Sequence, residues 1–115
     1  MLKVLIVEDD RAMRQLIKRV IGDLVESFSE CSDGSEALNA YAAHRPDWVL
    51  MDIRMKDVDG LTATQQITTA WPDARVAIIT GYNDASLREA ARQAGACQYL
   101  LKENLLELRS LLAAS

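Results

Sequence analysis

Five residues, Trp48-Val49-Leu50-Met51-Asp52, limit the fold more than any other stretch of the chain. Four apolar residues end on a carboxylate, with turn-forming residues on both sides: Arg45-Pro46-Asp47 before and Asp57-Val58-Asp59-Gly60 after. An apolar run this short, held between turns, reads as a strand buried on both faces. Such strands belong to parallel sheets covered by helices, where ligands collect outside the carboxyl ends of the strands. Asp52 sits at such an end. A second run, Val4-Leu5-Ile6-Val7, closes on Glu8-Asp9-Asp10. If these two strands are parallel neighbours, three or more carboxylates crowd into one pocket.

The rest of the chain alternates in the same way. A strand over residues 3–8 precedes a helix whose Met13, Leu16, Ile17, Val20 and Ile21 recur at helical spacing and whose other face is basic. Gly22 stops it. Residues 25–31 form a more polar strand, suited to a sheet edge. Ser32-Asp33-Gly34-Ser35 turns into a helix carrying Ala37, Leu38, Tyr41 and Ala42, which ends before Pro46. After the Asp52 strand comes a helix around Leu61, Ala63, Thr64 and Ile67, closed by Trp71-Pro72. Val76–Ile79 is a fourth strand ending at Thr80-Gly81, and Asn83 or Asp84 caps the helix through Leu87, Ala90, Ala91 and Ala94. Gln98–Leu101 is a fifth strand ending at Lys102, and Leu105, Leu108, Leu111 and Leu112 mark the last helix. Five strands alternating with five helices give an α/β fold, (βα)5, with parallel strands, right-handed crossovers and helices on both faces. The flavodoxin-like strand order 2-1-3-4-5 fits best: it puts the polar second strand at an edge and opens a crevice between strands 1 and 3.

Composition narrows the function. At 115 residues the chain reads as one domain, residues 1–115. A net charge of −4 argues against a nucleic-acid or anionic-membrane surface, which needs clustered Lys and Arg. No apolar run approaches the length of a membrane span, and the first strand starts without a signal peptide, so a cytoplasmic location is expected. Cys31 and Cys97 lack Cys-x-x-Cys spacing and read as reduced, buried, small apolar residues in separate strands. His44, the single histidine, reads as an inert surface residue in a turn.

The predicted order gathers Glu8, Asp9 and Asp52 at one point, with Thr80 and Lys102 on the next two strand ends. Two like charges ~4 Å apart cost about 4 kcal/mol at an effective dielectric of ~20. Three carboxylates therefore take up protons or hold a cation. Oxygen ligands with no His or Cys nearby suit Mg²⁺ or Mn²⁺ rather than zinc. Lys102 and the Thr80 hydroxyl are placed to hold the remaining oxygens of a phosphoryl group, and Asp52 is the natural nucleophile toward phosphorus. Asp10 reads as a cap for the following helix. Taken singly, Thr80 reads as a cap, Lys102 as a solvated charge and Tyr99 as a half-buried packing residue; only together do they point to a site.

These residues carry a resemblance. Val4-Leu-Ile-Val-Glu8-Asp9-Asp10, Val49-Leu-Met-Asp52, Ile78-Ile-Thr80-Gly81 and Gly95-Ala-Cys-Gln-Tyr99-Leu-Leu-Lys102 closely resemble the receiver domain of two-component response regulators, over essentially the whole chain. The resemblance implies that Asp52 accepts a phosphoryl group from a sensor histidine kinase. It implies no enzyme with a separate substrate, only a domain that catalyses its own phosphorylation and dephosphorylation. Asp9 and Asp52 would ligate Mg²⁺ (Mn²⁺ as a substitute) directly, with the backbone carbonyl of Arg54, and Glu8 through water. Thr80 would be the switch hydroxyl, Lys102 the phosphate-pairing cation, and Tyr99 the aromatic that turns inward on activation. The face made by the fourth helix, fifth strand and fifth helix would then engage an output domain, a partner protein or a second copy of the chain. Leu100-Leu101-Lys102-Glu103 resembles the subgroup with helix-turn-helix outputs, which implies transcription regulation without nucleic-acid or membrane contact by this domain itself.

Two positions depart from the family. Glu103 stands where most receivers carry Pro after a cis peptide bond; a non-proline cis bond costs ~3–4 kcal/mol, so a trans bond and a differently shaped loop are the alternative. Lys56 replaces a common Pro. Arg54 and Tyr82, two residues past Asp52 and Thr80, occupy positions that tune access of attacking water in the family, and their bulk implies slow self-dephosphorylation. Three other functions weigh less. An aspartyl-phosphate hydrolase of the haloacid-dehalogenase kind needs a second acid where Arg54 stands. A flavin-binding module needs a Thr/Ser/Gly-rich phosphate loop where Glu8-Asp9-Asp10 stand. A phosphorylation-independent pseudo-receiver is disfavoured because the key positions are filled.

Overall fold

Strands that are apolar over most or all of their length are driven to the middle of a sheet, and three of the five here are of that kind. The computed structural model describes residues 1–115. β3 (Trp48–Met51) and β4 (Val76–Thr80) are buried at every position, and β1 (Leu2–Val7) at its last four. β2 (Val25–Cys31) and β5 (Gln98–Leu101), each mostly exposed or half-buried, take the two edges. All pairings are parallel, in the order β2-β1-β3-β4-β5. The flavodoxin-like (βα)5 topology expected from the alternation is the observed one.

The period of 2 along each strand divides the core. On one face Leu5, Val7, Val49, Met51, Val76 and Ile78 pack under α2 (Ala37–His44), α3 (Gly60–Ala70) and α4 (Ala85–Gln93). On the other, Val4, Ile6, Leu50, Ala77 and Ile79 pack under α1 (Arg11–Ile21) and α5 (Leu105–Ala113). Short aspartates start the helices as caps. Asp10, Asp59 and Asp84 accept from the amides of Ala12, Thr62 and Leu87 at 3.0, 2.8 and 2.9 Å. Asp84, not Asn83, is the cap of α4.

Three details differ from the sequence reading. β1 stops at Val7, one residue short, although the Glu8 amide still donates to the Cys31 carbonyl at 3.0 Å. Cys97 is exposed and lies just before β5, while Cys31 is buried as expected. The reason is the edge: β5 has a neighbour on one side only, so the turn leading into it stays open to solvent. His44 is the exposed last residue of α2 rather than part of the turn. No peptide bond is cis, Lys102–Glu103 included.

Candidate functional site

The register sets the site. β1 and β3 pair from Val4–Trp48 to Val7–Met51, and the Asp52 amide extends the ladder by donating to the Val7 carbonyl at 2.9 Å. The next residues of the two strands, Glu8 and Asp52, therefore emerge side by side. Asp9 follows in the same loop, and carboxylate oxygens of Glu8, Asp9 and Asp52 lie within 4.8 Å of one another. Glu8 and Asp52 are buried, at 2% and 6% exposed, whereas Asp9 faces solvent.

Lys102 reaches in from the end of β5. Its Nζ lies 2.8 Å from Glu8 Oε1 and 3.2 Å from Asp52 Oδ1, so one cation serves two buried carboxylates. Burial dominates the protonation of both acids. It pushes Glu8 up to about 7 from its ordinary 4.5, against the hydrogen bond from Lys102. Asp52 is also raised by burial, with Lys102 pulling the other way. Burial would lower Lys102, but its bonds to Glu8 and the Asp52 charge hold it above its usual value. Three carboxylates with one lysine leave a surplus of negative charge that a cation would neutralise. The donor set is oxygen only, with no imidazole or thiol among it, which suits a hard divalent ion.

Thr80 and Tyr99 flank the acids on β4 and β5. Thr80 is 1% exposed, and its hydroxyl accepts from the Tyr82 amide at 3.3 Å rather than bonding to the carboxylates. Tyr99 is half-buried; its hydroxyl donates to the Tyr82 carbonyl at 2.6 Å, and the Arg88 guanidinium lies 4.5 Å from its ring centre. Arg54, two residues past Asp52, stacks its guanidinium 4.6 Å from the centre of the Tyr82 ring. The two bulky residues flagged as tuning water access thus contact each other.

Two further residues hold the site and were not singled out from sequence. Arg14, assigned only to the polar face of α1, donates from Nη1 to the Glu8 carbonyl at 2.7 Å and from Nε to Glu30 on the edge strand at 3.1 Å. Asp33, visible in the sequence only as a turn residue, bonds to the loop that follows Asp52. Gly60 was read as a turn residue too. A Cβ there would come within 1.8 Å of the Asp52 carbonyl oxygen, so the loop after β3 folds directly against the residue it follows.

Known proteins resemble this chain in sequence and fold. A family model described as the response regulator receiver domain matches residues 4–113. The chain is 36% identical over 115 residues to the protein named Response regulator MprA of Mycolicibacterium vanbaalenii, covering 96% of this chain and 50% of that protein. The chain spans about half the length of the curated relatives it matches. A crystal structure of a two-component response regulator of the LuxR family from Aurantimonas sp. SI85-9A1 superposes with a TM-score of 0.86 at 26% identity, over 99% of this chain and 86% of that one. The response regulator domain of Thermotoga maritima CheB shares the fold, with a TM-score of 0.86 at 24% identity over 99% and 95% of the two chains.

Proposed function

Because this chain belongs to the receiver-domain family of response regulators, we propose that it is a phosphoryl-accepting switch in a two-component signalling system, with Asp52 as the acceptor. The observation that carries this is the pairing of a buried Asp52 with a lysine 3.2 Å away inside a cluster of three carboxylates. An Asp52 oxygen attacks the phosphorus of a phosphohistidine on a sensor kinase. The new O–P bond forms as the N–P bond breaks; its electron pair returns to the imidazole nitrogen, which takes a proton from solvent. Asp9, Asp52 and the Arg54 carbonyl would hold Mg²⁺ directly, and Glu8 through water, with Mn²⁺ as a substitute. When bound, the ion supplies positive charge that offsets the carboxylates and the incoming phosphoryl oxygens. Lys102 moves from bridging Glu8 and Asp52 to pairing with a phosphoryl oxygen. No substrate other than the phosphoryl donor is turned over.

Thr80 and Tyr99 carry the signal outward. To reach a phosphoryl oxygen, the Thr80 hydroxyl gives up the Tyr82 amide. Tyr99 is tied to the same residue through the Tyr82 carbonyl, so movement of the segment 80–82 and of the Tyr99 ring are coupled. The face of α4, β5 and α5 repacks and presents a changed surface to an output domain, a partner protein or a second copy of the chain. Leu106 at the start of α5 is 73% exposed and Tyr82, in the loop before α4, 49%, apolar area that a partner would cover. Going from 1:99 to 99:1 between the two packings needs about 5.5 kcal/mol of differential interaction, which the phosphoryl group and the partner share. The Leu100-Leu101-Lys102-Glu103 ending supports an output that regulates transcription, with the receiver itself in the cytoplasm and touching neither nucleic acid nor membrane. No helix is long and apolar enough to cross a membrane.

Incubation with acetyl phosphate and Mg²⁺ should add one phosphoryl mass to the chain, and Asp52→Asn should abolish the addition. An unchanged signal in that variant would sink the assignment.

A further inference from the structure

The β2–α2 turn is fastened to the loop that follows Asp52 by one carboxylate. Asp33 is only 8% exposed and forms no ion pair. Its Oδ2 accepts from the Ser35 amide at 2.8 Å, the bond a local turn needs. Its remaining capacity goes elsewhere: Oδ1 accepts from the Asp57 amide at 2.9 Å and Oδ2 from the Val58 amide at 3.2 Å, across 24 and 25 residues of sequence. These backbone donors, Asp57 first and then Ser35, hold the carboxyl well below the usual carboxylate range. Gly34 lets the two segments touch, since a Cβ there would lie 2.3 Å from the Val58 carbonyl oxygen. At its other end the loop is closed by the Gly60 amide, which donates to the Ile53 carbonyl at 2.7 Å. The segment from Ile53 to Asp59 is therefore tied end to end and held at Asp57 and Val58, with Arg54 inside it.

We propose that Asp33 is a positioning residue for the metal site: by holding the Asp57 and Val58 amides it presets the loop that carries the Arg54 carbonyl before any cation arrives. The inference rests on the receiver reading of Glu8, Asp9, Asp52 and Arg54 given above. Asp33 touches neither ion nor phosphoryl group; it acts through the backbone. Without it the loop is free to sample other shapes, and the cation must order the loop as it binds, which weakens binding. Partners behind the ligands typically set metal affinity by about 10–100-fold.

The test is Mn²⁺ binding to the whole chain, followed by the electron paramagnetic resonance of the free ion, with thermal melting in parallel. Asp33→Ala should weaken binding by about tenfold or more. Asp33→Asn, which keeps one acceptor oxygen, should fall between Ala and wild type. Asp84→Ala, which removes only the cap of α4, serves as a destabilised control and should bind like wild type. Wild-type affinity in Asp33→Ala, or an equal loss in Asp84→Ala, would overturn the proposal. If Asp33→Ala does not fold, Asp33→Asn decides on the same criterion, with wild-type affinity counting against. Wild-type protein that takes up no Mn²⁺ and accepts no phosphoryl group from acetyl phosphate would overturn the receiver reading itself, and this proposal with it.

Discussion

Lys102→Met removes the one cation from the carboxylate cluster while keeping most of the side chain's length. At 2.8 and 3.2 Å from Glu8 and Asp52, each pairing is worth about 5–6 kcal/mol before solvation is counted, at an effective dielectric of ~20. The net loss is smaller. Lysine no longer has to give up its own hydration, and its side chain is 24% exposed, so solvent screens part of the field. Removing one partner of a buried pair typically costs about 3–5 kcal/mol; with that exposure we expect about 3 kcal/mol at pH 8 in the absence of divalent ions. For a domain of this size that is a fall in melting temperature of roughly 10 °C. The deficit should shrink as pH falls through about 7, where Glu8 takes up its proton and needs less counter-charge. Millimolar Mg²⁺ should rescue the variant more than it does wild type, because the ion supplies the missing charge. Thermal melts in EDTA and in Mg²⁺, at pH 5 and pH 8, measure all of this. A variant as stable as wild type at pH 8 in EDTA, or one whose deficit persists unchanged at pH 5, would refute the electrostatic account of the pocket.

Three further outcomes follow from the same geometry. Glu8 is raised from 4.5 to about 7 by burial, so the folded state binds its proton more tightly than the unfolded one. That contribution to stability is present below about pH 4.5 and is lost as pH rises through about 7. Glu8→Gln should therefore flatten the fall in metal-free stability over that range, and a slope like wild type's in EDTA melts would contradict it. Because protons and cations compete for Glu8, Mg²⁺ affinity should drop as pH falls below about 7, which isothermal titration at several pH values checks. The Arg54–Tyr82 stack beside Asp52 should slow attack of water on the acyl phosphate. The phosphorylated chain should persist well beyond seconds in buffered Mg²⁺, and Arg54→Ala should shorten its life; decay within seconds in the wild type would contradict this.

How much of this was legible in the sequence depends on how local each cause is. The strand ends were legible because short apolar runs between turns, closing on Glu8, Asp52, Thr80 and Lys102, carry their own boundaries. The caps at Asp10 and at Asn83 or Asp84 are legible because such bonds span only two or three residues; Asp59, legible only as part of a turn, caps α3 in the same way. Asp33 announced a turn but not its bonds to Asp57 and Val58, since nothing in a turn sequence says which distant amides come near it. Arg14 was hidden in the same way: its helical spacing fixed the polar face, while its bond to the Glu8 carbonyl depends on how α1 docks. Arg54 and Tyr82 are each legible as residues two past Asp52 and Thr80, but their stacking depends on where two loops meet. Cysteine's usual behaviour as a small buried residue predicts Cys97 inside, whereas an edge strand leaves its entry turn exposed.

The central claim is that Asp52, and no other acid of the cluster, takes the phosphoryl group. The direct measurement is peptide mapping by tandem mass spectrometry after treatment with acetyl phosphate and Mg²⁺ and trapping with borohydride, which reduces an aspartyl phosphate to homoserine. Homoserine at position 52, with Glu8 and Asp9 unmodified, is the predicted result. Modification of another carboxylate, or none at position 52 under conditions where the chain gains a phosphoryl group, would contradict it.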